Sequence, residues 1–235
     1  LDARLFPPPS AIVACAWRML WSGELPEALG ATLKRLGLGF ALGAPAGLIC
    51  GVMMGAVRAV RELFAPLVSA LLAVPLLVLL PLLMLWLVAG DVSRVALVAA
   101  SCLVVVASHT LDAGRSVTPA YVDLASNHGA RRLALLRKVY LPAALPRVFT
   151  GLRLALETGF AMTVSVELIV PSDGLGSLII LGWRQSIAEK LYLGVLLAAV
   201  VGISLHAVSR HLEALLIPWQ TSHSDLRKPG RPGAS

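Results

Sequence analysis

Long apolar runs separated by short polar segments dominate the pattern of this chain. A bilayer core about 30 Å thick needs roughly 20 apolar residues in a helix to cross it. Five stretches meet or approach this length, and they cover residues 36–57, 63–90, 95–111, 145–170 and 191–209. The pattern therefore predicts an all-α fold, a polytopic transmembrane helical bundle of about five spans.

Three of the predicted spans contain irregular features. The run 63–90 should kink under the cover of neighbouring helices at its three prolines, Pro66, Pro75 and Pro81. The run 95–111 is short, and it extends through Val92 and Ser93 only if Arg94 snorkels to the interface. The run 145–170 is interrupted by charges at Arg147, Arg153, Glu157 and Glu167.

The remaining segments complete the predicted domain organisation. Residues 1–29 contain a 12-residue amphipathic stretch, 11–22, which is too short to cross and is predicted to be interfacial. Residues 30–220 form the transmembrane domain, and the polar residues 221–235, rich in Gly and Pro, are expected to be disordered. The chain begins with Leu1 rather than Met, so we expect an N-terminal segment to be missing.

Composition and charge exclude two classes of protein. The chain is 57% hydrophobic and 14% charged, whereas a soluble domain has about 25% charged residues. The net charge of +7 does not indicate nucleic-acid binding, because the basic residues lie in short segments between apolar runs.

The distribution of basic residues favours an orientation with residues 112–138 in the cytoplasm. In that orientation thirteen Lys and Arg lie on the cytoplasmic side and seven on the other.

Glycines recur every fourth residue in the first span. They lie on one slowly drifting helix face, where they would let another helix approach closely. We expect this face to pack against a second helix, and its members are Gly39, Gly43, Gly47, Gly51 and Gly55.

The polar segment 120–142 carries the most informative motif. Asp123 lies near the start of a predicted helix, Gly129 allows a bend, and a second, basic helix follows. On the residues alone, this helix–bend–helix either lodges in a groove of another protein or is a basic loop.

The spacing of this segment resembles the EAA loop of binding-protein-dependent ABC importer permeases. That loop has E-A-A, three residues, G, nine residues and I-x-L-P. Here Asp123-Leu124-Ala125 stands for E-A-A, Gly129 follows, and 139–142 supplies the last motif. Further phrases at 141–146, 150–155 and 172–179 are similar to the subgroup that imports nitrate, sulfonates, taurine and similar small solutes. The likeness covers residues 6–219.

The resemblance implies a type I permease fold with short coupling helices in a bacterial inner membrane, its EAA loop and tail cytoplasmic and residues 1–29 periplasmic. It implies a homodimer with two ATPase subunits and a periplasmic or lipid-anchored binding protein. ATP and Mg would bind the ATPase, because this chain has no phosphate-binding G-x-x-x-x-G-K-[ST] motif. The chain would therefore be neither an enzyme nor a cofactor protein. The residues that would dock on the ATPase are Asp123, Leu124, Ala125, Gly129, Ala130, Leu141 and Pro142.

Departures from the family pattern leave the substrate open. Asp123 replaces Glu, Leu124 replaces Ala, and Glu157 stands where the subgroup more often has a small uncharged residue. An intramembrane acid marks either a paired site or a substrate path. Glu157 could pair with Arg153 one turn earlier, line the path and favour an amine-bearing solute, or occupy a solvated position.

Glu167 and the histidines complete the candidate residues. We expect Glu167 to hold an outer gate beside the loop 171–176, with an ordinary interfacial carboxylate as the alternative. His109, His206 and His211 are interpreted as interfacial residues and not as metal ligands, since no cysteine or carboxylate cluster joins them.

The alternatives to a sulfonate, taurine or nitrate permease are an ABC permease for a cationic nutrient, such as a thiamine pyrimidine precursor, and an ion-gradient transporter.

Overall fold

The computed structural model describes residues 6–87, 90–115 and 141–217, which are helical and contain no strand. This confirms the all-α prediction. We number the helices in chain order, with a short 3₁₀ helix, Leu76–Leu79, between α3 and α4. The α-helices are α1 Pro9–Trp21, α2 Glu24–Ala56, α3 Arg58–Ala73, α4 Leu80–Trp86, α5 Asp91–Arg115, α6 Leu141–Ile169, α7 Leu175–Arg184 and α8 Ala188–Leu216.

Helices α2 and α5 run parallel and form the most extensive helix contact in the described chain. A Cβ added at Gly47 would lie 2.5 Å from the carbonyl oxygen of Leu103, and one at Gly51 2.5 Å from Thr110. Gly39 and Gly43 meet α5 just as closely. The predicted packing face is therefore confirmed for these four glycines. It is wrong for Gly55, which has nothing within 4 Å of an added Cβ.

Helix α6 runs antiparallel to α5 through the centre of the bundle. It packs against α2, α5, α7 and α8, and the buried core between these helices includes Leu36, Val98, Cys102, Ala155 and Phe160. The end of α6 near Glu167 lies beside Thr32 and Arg35 inside α2, and Arg35 also contacts Asp91 in the first turn of α5; we call this the Glu167 end of the bundle.

By length and hydropathy alone, the described helices account for three or four of the predicted five spans. Among the described residues, α2, α5 and α8 are long and apolar enough to cross a membrane. Helix α3 and residues 76–86 add a fourth span if this pair, which bends by 98°, counts as one. Helix α6 has 29 residues, about 44 Å at 1.5 Å per residue, but its charges keep it out of the apolar class.

The predicted single span 63–90 is broken in the structure. Pro75 follows Val74, whose backbone is extended (φ −89°, ψ 133°), because the residue before a proline avoids the helical conformation. Pro66 lies inside α3 without ending it, and Pro81 lies in the first turn of α4, where a missing N–H costs little.

The N-terminal part is more helical than the domain boundary at residue 30 suggested. Helix α1 confirms the amphipathic stretch, since Cys15 and Met19 are buried while Trp17 and Trp21 are exposed. Helix α2 begins at Glu24, so Arg35, which was expected to bound the first span, lies three turns inside the helix.

Candidate functional site

Helix α6 positions both acids that the sequence singled out, at two different depths. Glu167 lies two residues before the helix ends at Ile169, and Glu157 lies ten residues earlier, near the helix middle. At 1.5 Å per residue this separates them by about 15 Å along the axis. The two carboxylates therefore belong to separate sites.

Glu167 is fully buried, with a relative exposure of 0%. Its carboxylate accepts hydrogen bonds from the hydroxyl of Thr32 at 2.9 Å, from Nη1 of Arg35 at 2.8 Å and from the backbone N–H of Gly176 at 3.0 Å. Three donors, two from α2 and one from the start of α7, compensate the loss of water around this charge.

Arg35 is the centre of this buried group, and all five of its N–H donors have acceptors. Nε donates to Asp91 at 2.9 Å, and Nη1 donates to Glu167 and to the carbonyl oxygen of Asp173 at 2.7 Å. Nη2 donates to the Asp173 carboxylate and to the hydroxyl of Ser172. We call Thr32, Arg35, Asp91, Glu167, Ser172 and Asp173 the Arg35 cluster; it joins α2, α5, α6 and the loop 170–174.

Helix α5 includes Val92 and Ser93, although Arg94 does not snorkel. Its side chain is 10% exposed and points into the Arg35 cluster, where Nη1 donates to Asp91 at 2.9 Å and to Ser172 at 2.6 Å. These two acceptors hold the guanidinium against the cluster, so the start of α5 is fixed to the loop.

Gly174 lets the loop 170–174 fold back over the end of α6. Gly174 has φ +117°, a conformation that favours glycine, and a Cβ there would overlap the Glu167 carboxylate. The hydrogen bond from Ser172 and the Arg35 guanidinium lower the pKa of Asp173 to about 2. Asp173 therefore stays charged at physiological pH and keeps the loop attached to Arg35.

Glu157 lies in a different setting, half-open beside α8. Its Oε1 is 2.8 Å from Nδ1 of His206, and the two side chains are 31% and 49% exposed. The pair lines a groove of about 300 Å³ whose other residues are Phe160, Gly202, Ile203 and Leu205. We call this space the Glu157 groove.

The pairing of Glu157 with Arg153, one of the interpretations of the sequence, is not formed. Arg153 instead contacts Glu213 on α8 at 3.2 Å. A residue one turn away on the same helix competes with residues on a packed neighbour, and here α8 supplies a partner to both side chains. Arg153 therefore lies outside the Glu157 groove.

The predicted ATPase-docking residues lie mostly outside the described ranges. Asp123, Leu124, Ala125, Gly129 and Ala130 are not described, and Leu141 and Pro142 form the first turn of α6. The ends of α5 and α6 flank this segment at one end of the bundle, where Arg147 donates to the carbonyl oxygen of Asp112 at 3.4 Å.

The described residues contain no group of three or more His, Cys, Asp and Glu that could hold a metal ion. His211 contacts the carbonyl oxygen of Ala207 on its own helix, and His109 packs against Gly151. His206 differs from both because it contacts a carboxylate on another helix.

Sequence analysis missed Thr32, Arg35 and Asp91 as partners of Glu167. A signal was present, because three acids, Asp91, Glu167 and Asp173, fall at predicted span ends on the same side as Arg35 and Arg94. Acids and arginines concentrated on one side of a membrane predict ion pairs between the helix ends.

Comparison with known proteins gives a family match over most of the chain. Residues 43–218 match the family described as binding-protein-dependent transport system inner membrane component.

Three curated relatives are similar over most of their length. The aliphatic sulfonates transport permease protein SsuC of Bacillus subtilis is 32% identical over 95% of this chain and 81% of its own. The taurine transport permease TauC of Escherichia coli is 31% identical over 81% of this chain and 70% of its own. The riboflavin transport permease RibX of Chloroflexus aurantiacus is 30% identical over 94% of this chain and 82% of its own.

The fold is also similar to solved transporters. A chain of an amino acid ABC transporter superposes with a TM-score of 0.70 and 17% identity, covering 86% of this chain and 97% of that one. A chain of the MetNI methionine transporter in inward-facing form superposes with a TM-score of 0.63 and 18% identity, covering 84% of this chain and 97% of that one. This likeness supports the fold.

Proposed function

On the premise that the chain belongs to the family of binding-protein-dependent transport system inner membrane components, we propose that it forms the membrane path for small sulfonates. The chain is a multi-pass inner-membrane permease subunit of an ABC importer. The observation that carries the substrate class is the 32% identity to a sulfonate permease over 95% of the chain. Taurine and short alkanesulfonates are the proposed cargo.

Coupling to ATP hydrolysis is assigned to the segment between α5 and α6. Its residues Asp123, Leu124, Ala125, Gly129 and Ala130, with Leu141 and Pro142 at the start of α6, would dock on a separate ATPase subunit that binds ATP and Mg. The EAA spacing supports this assignment. Both flanking helices end at the same side of the bundle, so a shift of the docked segment would reach α5 and α6 together.

The Glu167 end is proposed to face the periplasm and the binding protein. With the docking segment in the cytoplasm, α6 runs from the cytoplasmic side to the Arg35 cluster. The cluster joins α2, the start of α5 and the end of α6 to the loop 170–174, so it would hold the outer gate as a rigid body during transport.

Two copies of the chain are proposed to enclose the path, as a homodimer with two ATPase subunits. The middle of α6 supports this arrangement. Between residues 150 and 165 its exposed residues are Thr158 and Ala161, whereas α8 exposes large apolar residues such as Leu196 and Val200. A small, polar exposed face suits a path or a subunit contact, and an apolar one suits lipid.

Reconstitution tests the proposal. The permease, the ATPase and the binding protein encoded with it are incorporated into proteoliposomes, and ATP-dependent uptake of ethanesulfonate and taurine is measured. We expect uptake of at least one sulfonate that needs all three proteins. Uptake without ATP, or coupled uptake of other solutes with no sulfonate transported, would contradict the proposed function.

A matched pair of glycine variants tests the docking segment. Gly129→Asp should abolish co-purification of the ATPase subunit, because an acidic side chain is introduced at the bend of the docking helices. Gly30→Asp introduces the same side chain at an exposed glycine of α2 with open space around it, and it should leave co-purification unchanged. Equal recovery of the ATPase with both variants would contradict the assignment.

A second cargo class is favoured by one observation. Glu157 is a half-exposed carboxylate in the middle of α6, and it suits a cationic nutrient better than a simple anion. Competition in the same vesicles by organic cations that lack a sulfonate would support this alternative. Competition only by sulfonates would exclude it.

A further inference from the structure

We propose that the Glu157 groove is a transport subsite for the ammonium group of an aminoalkanesulfonate, with Glu157 as the residue that binds it. This inference rests on the proposed function and names the part of the cargo that the path recognises. Taurine, which carries one sulfonate and one ammonium group on a two-carbon chain, is the simplest such solute.

The carboxylate of Glu157 has one oxygen free for a ligand. Oε1 is 2.8 Å from Nδ1 of His206, and no described residue donates a hydrogen bond to Oε2. The imidazole fixes the orientation of the carboxylate, and the 31% exposure of the side chain leaves it accessible from the groove. An ammonium group would supply the missing charged donor.

Among the described residues, no arginine contacts Glu157. Arg153, one turn away, contacts Glu213 at 3.2 Å, and the Arg35 cluster lies about 15 Å away along α6. The ionisable side chains that line the groove are therefore Glu157 and His206. A carboxylate in this setting attracts an ammonium group and repels a sulfonate solute that carries no positive charge.

The shape of the groove suits a short apolar chain. Its volume is about 300 Å³, and its walls beyond the Glu157–His206 pair are Phe160, Gly202, Ile203 and Leu205. Apolar walls with one or two oriented polar groups are typical of small-molecule sites. The two-carbon linker of taurine would contact these walls while its ammonium group contacts Glu157.

The α6 side of the groove favours a path and not the lipid. The neighbouring exposed residues on α6 are Thr158 and Ala161, and the large exposed apolar residue of α6 is Ile169, at the Glu167 end. A carboxylate facing hydrocarbon would be costly. A small, polar face beside Glu157 instead provides contact with water or with a second subunit.

The test compares taurine with 2-hydroxyethanesulfonate, in which a hydroxyl group replaces the ammonium group. Import into proteoliposomes holding the complete complex is measured at saturating binding protein, so that the maximal rate reports translocation. Glu157→Gln should lower the maximal taurine rate about tenfold or more, the effect of losing one charge-assisted hydrogen bond. The rate for 2-hydroxyethanesulfonate should stay the same or rise.

Two further variants make the result specific. Glu157→Asp keeps the charge and should retain the preference for taurine, and it decides the question if the Gln variant fails to assemble. Glu62→Gln removes the exposed partner of Arg58 at the start of α3, outside the groove, and should change neither rate.

Each remaining outcome has a defined meaning. If the wild-type complex imports neither sulfonate, the proposed function fails, and the inference fails with it. If the wild type imports sulfonates but excludes taurine, or if Glu157→Gln lowers both rates equally or neither, the inference is overturned and the proposed function stands.

Discussion

Glu167 and Glu157 lie on the same helix, yet their surroundings differ. Glu167 is fully buried and accepts hydrogen bonds from Thr32, Arg35 and Gly176. Glu157 is about one-third exposed and has one oxygen bonded to His206. A buried carboxylate that accepts several hydrogen bonds holds segments together. A partly exposed carboxylate with an unbonded oxygen remains available to a ligand.

The difference follows from what the neighbouring segments supply. At the Glu167 end, α2 supplies Arg35, and the loop 170–174 supplies backbone and side-chain partners. In the middle of α6, α8 supplies one imidazole, and the groove leaves the rest of the Glu157 carboxylate uncovered. The comparison therefore predicts that changes in the Arg35 cluster mainly affect stability and that changes at Glu157 mainly affect transport.

The largest expected effect is that of Arg35→Met. Removing one partner of a buried ion pair leaves the charge of Glu167 uncompensated, which typically costs about 3–5 kcal/mol. We expect the variant to show a much lower unfolding temperature in detergent or to fail to assemble.

The neighbouring lysine provides the control for this prediction. Lys34→Met removes the same charge one residue earlier on α2, but Lys34 is exposed, so its unfolding temperature should stay near the wild-type value. Similar losses in Lys34→Met and Arg35→Met would show that the Arg35 cluster has no special role.

A smaller loss is expected from Gly174→Ala. Both Gly174 and Gly23 have positive φ, so alanine strains the backbone at either position, at a cost of about 1–3 kcal/mol. At Gly174 the added Cβ would also overlap the Glu167 carboxylate, whereas at Gly23 nothing lies within 4 Å. Thermal unfolding should therefore place Gly174→Ala below Gly23→Ala, and the reverse order would contradict the packing of the loop.

The smallest effect concerns Asp173 and appears only in acid. Its pKa is lowered from 3.8 to about 2 in the folded chain, so its contribution to stability is complete above about pH 4 and is lost as the pH falls towards 2. The side chain is 47% exposed, which keeps this contribution small. The unfolding temperatures of wild type and Asp173→Asn should differ at pH 6 and converge between pH 4 and pH 2. A constant difference would contradict the lowered pKa.

Helices and their close packing could be predicted from the sequence because both depend on local periodicity. Apolar runs located the long helices, and the four-residue spacing located the contact of Gly39 to Gly51 with α5. The break at Pro75 was expected only as a kink, since a sequence does not show whether neighbouring helices cover an interrupted helix or let it turn by 98°.

The ionic partners could not be predicted in the same way. Arg35 contacts residues 56, 132 and 138 positions away in the chain. In the sequence it resembles an ordinary charge at the edge of a span. For Glu157 the local geometry offered Arg153, and the packing of α8 decided between Arg153 and His206. Tertiary contacts therefore determine which charged side chain in a span forms a structural ion pair and which remains accessible to a ligand.

The separation of the two acids is tested most directly by comparing Glu167→Gln with Glu157→Gln in one complex, measuring unfolding temperature and taurine import. We predict that Glu167→Gln lowers the unfolding temperature by about 5 °C or more, since 1 kcal/mol corresponds to roughly 2–4 °C in a chain of this size. Glu157→Gln should stay within about 2 °C of wild type and lose taurine import selectively. Equal destabilisation by both variants, with import of both sulfonates lost together, would contradict the account.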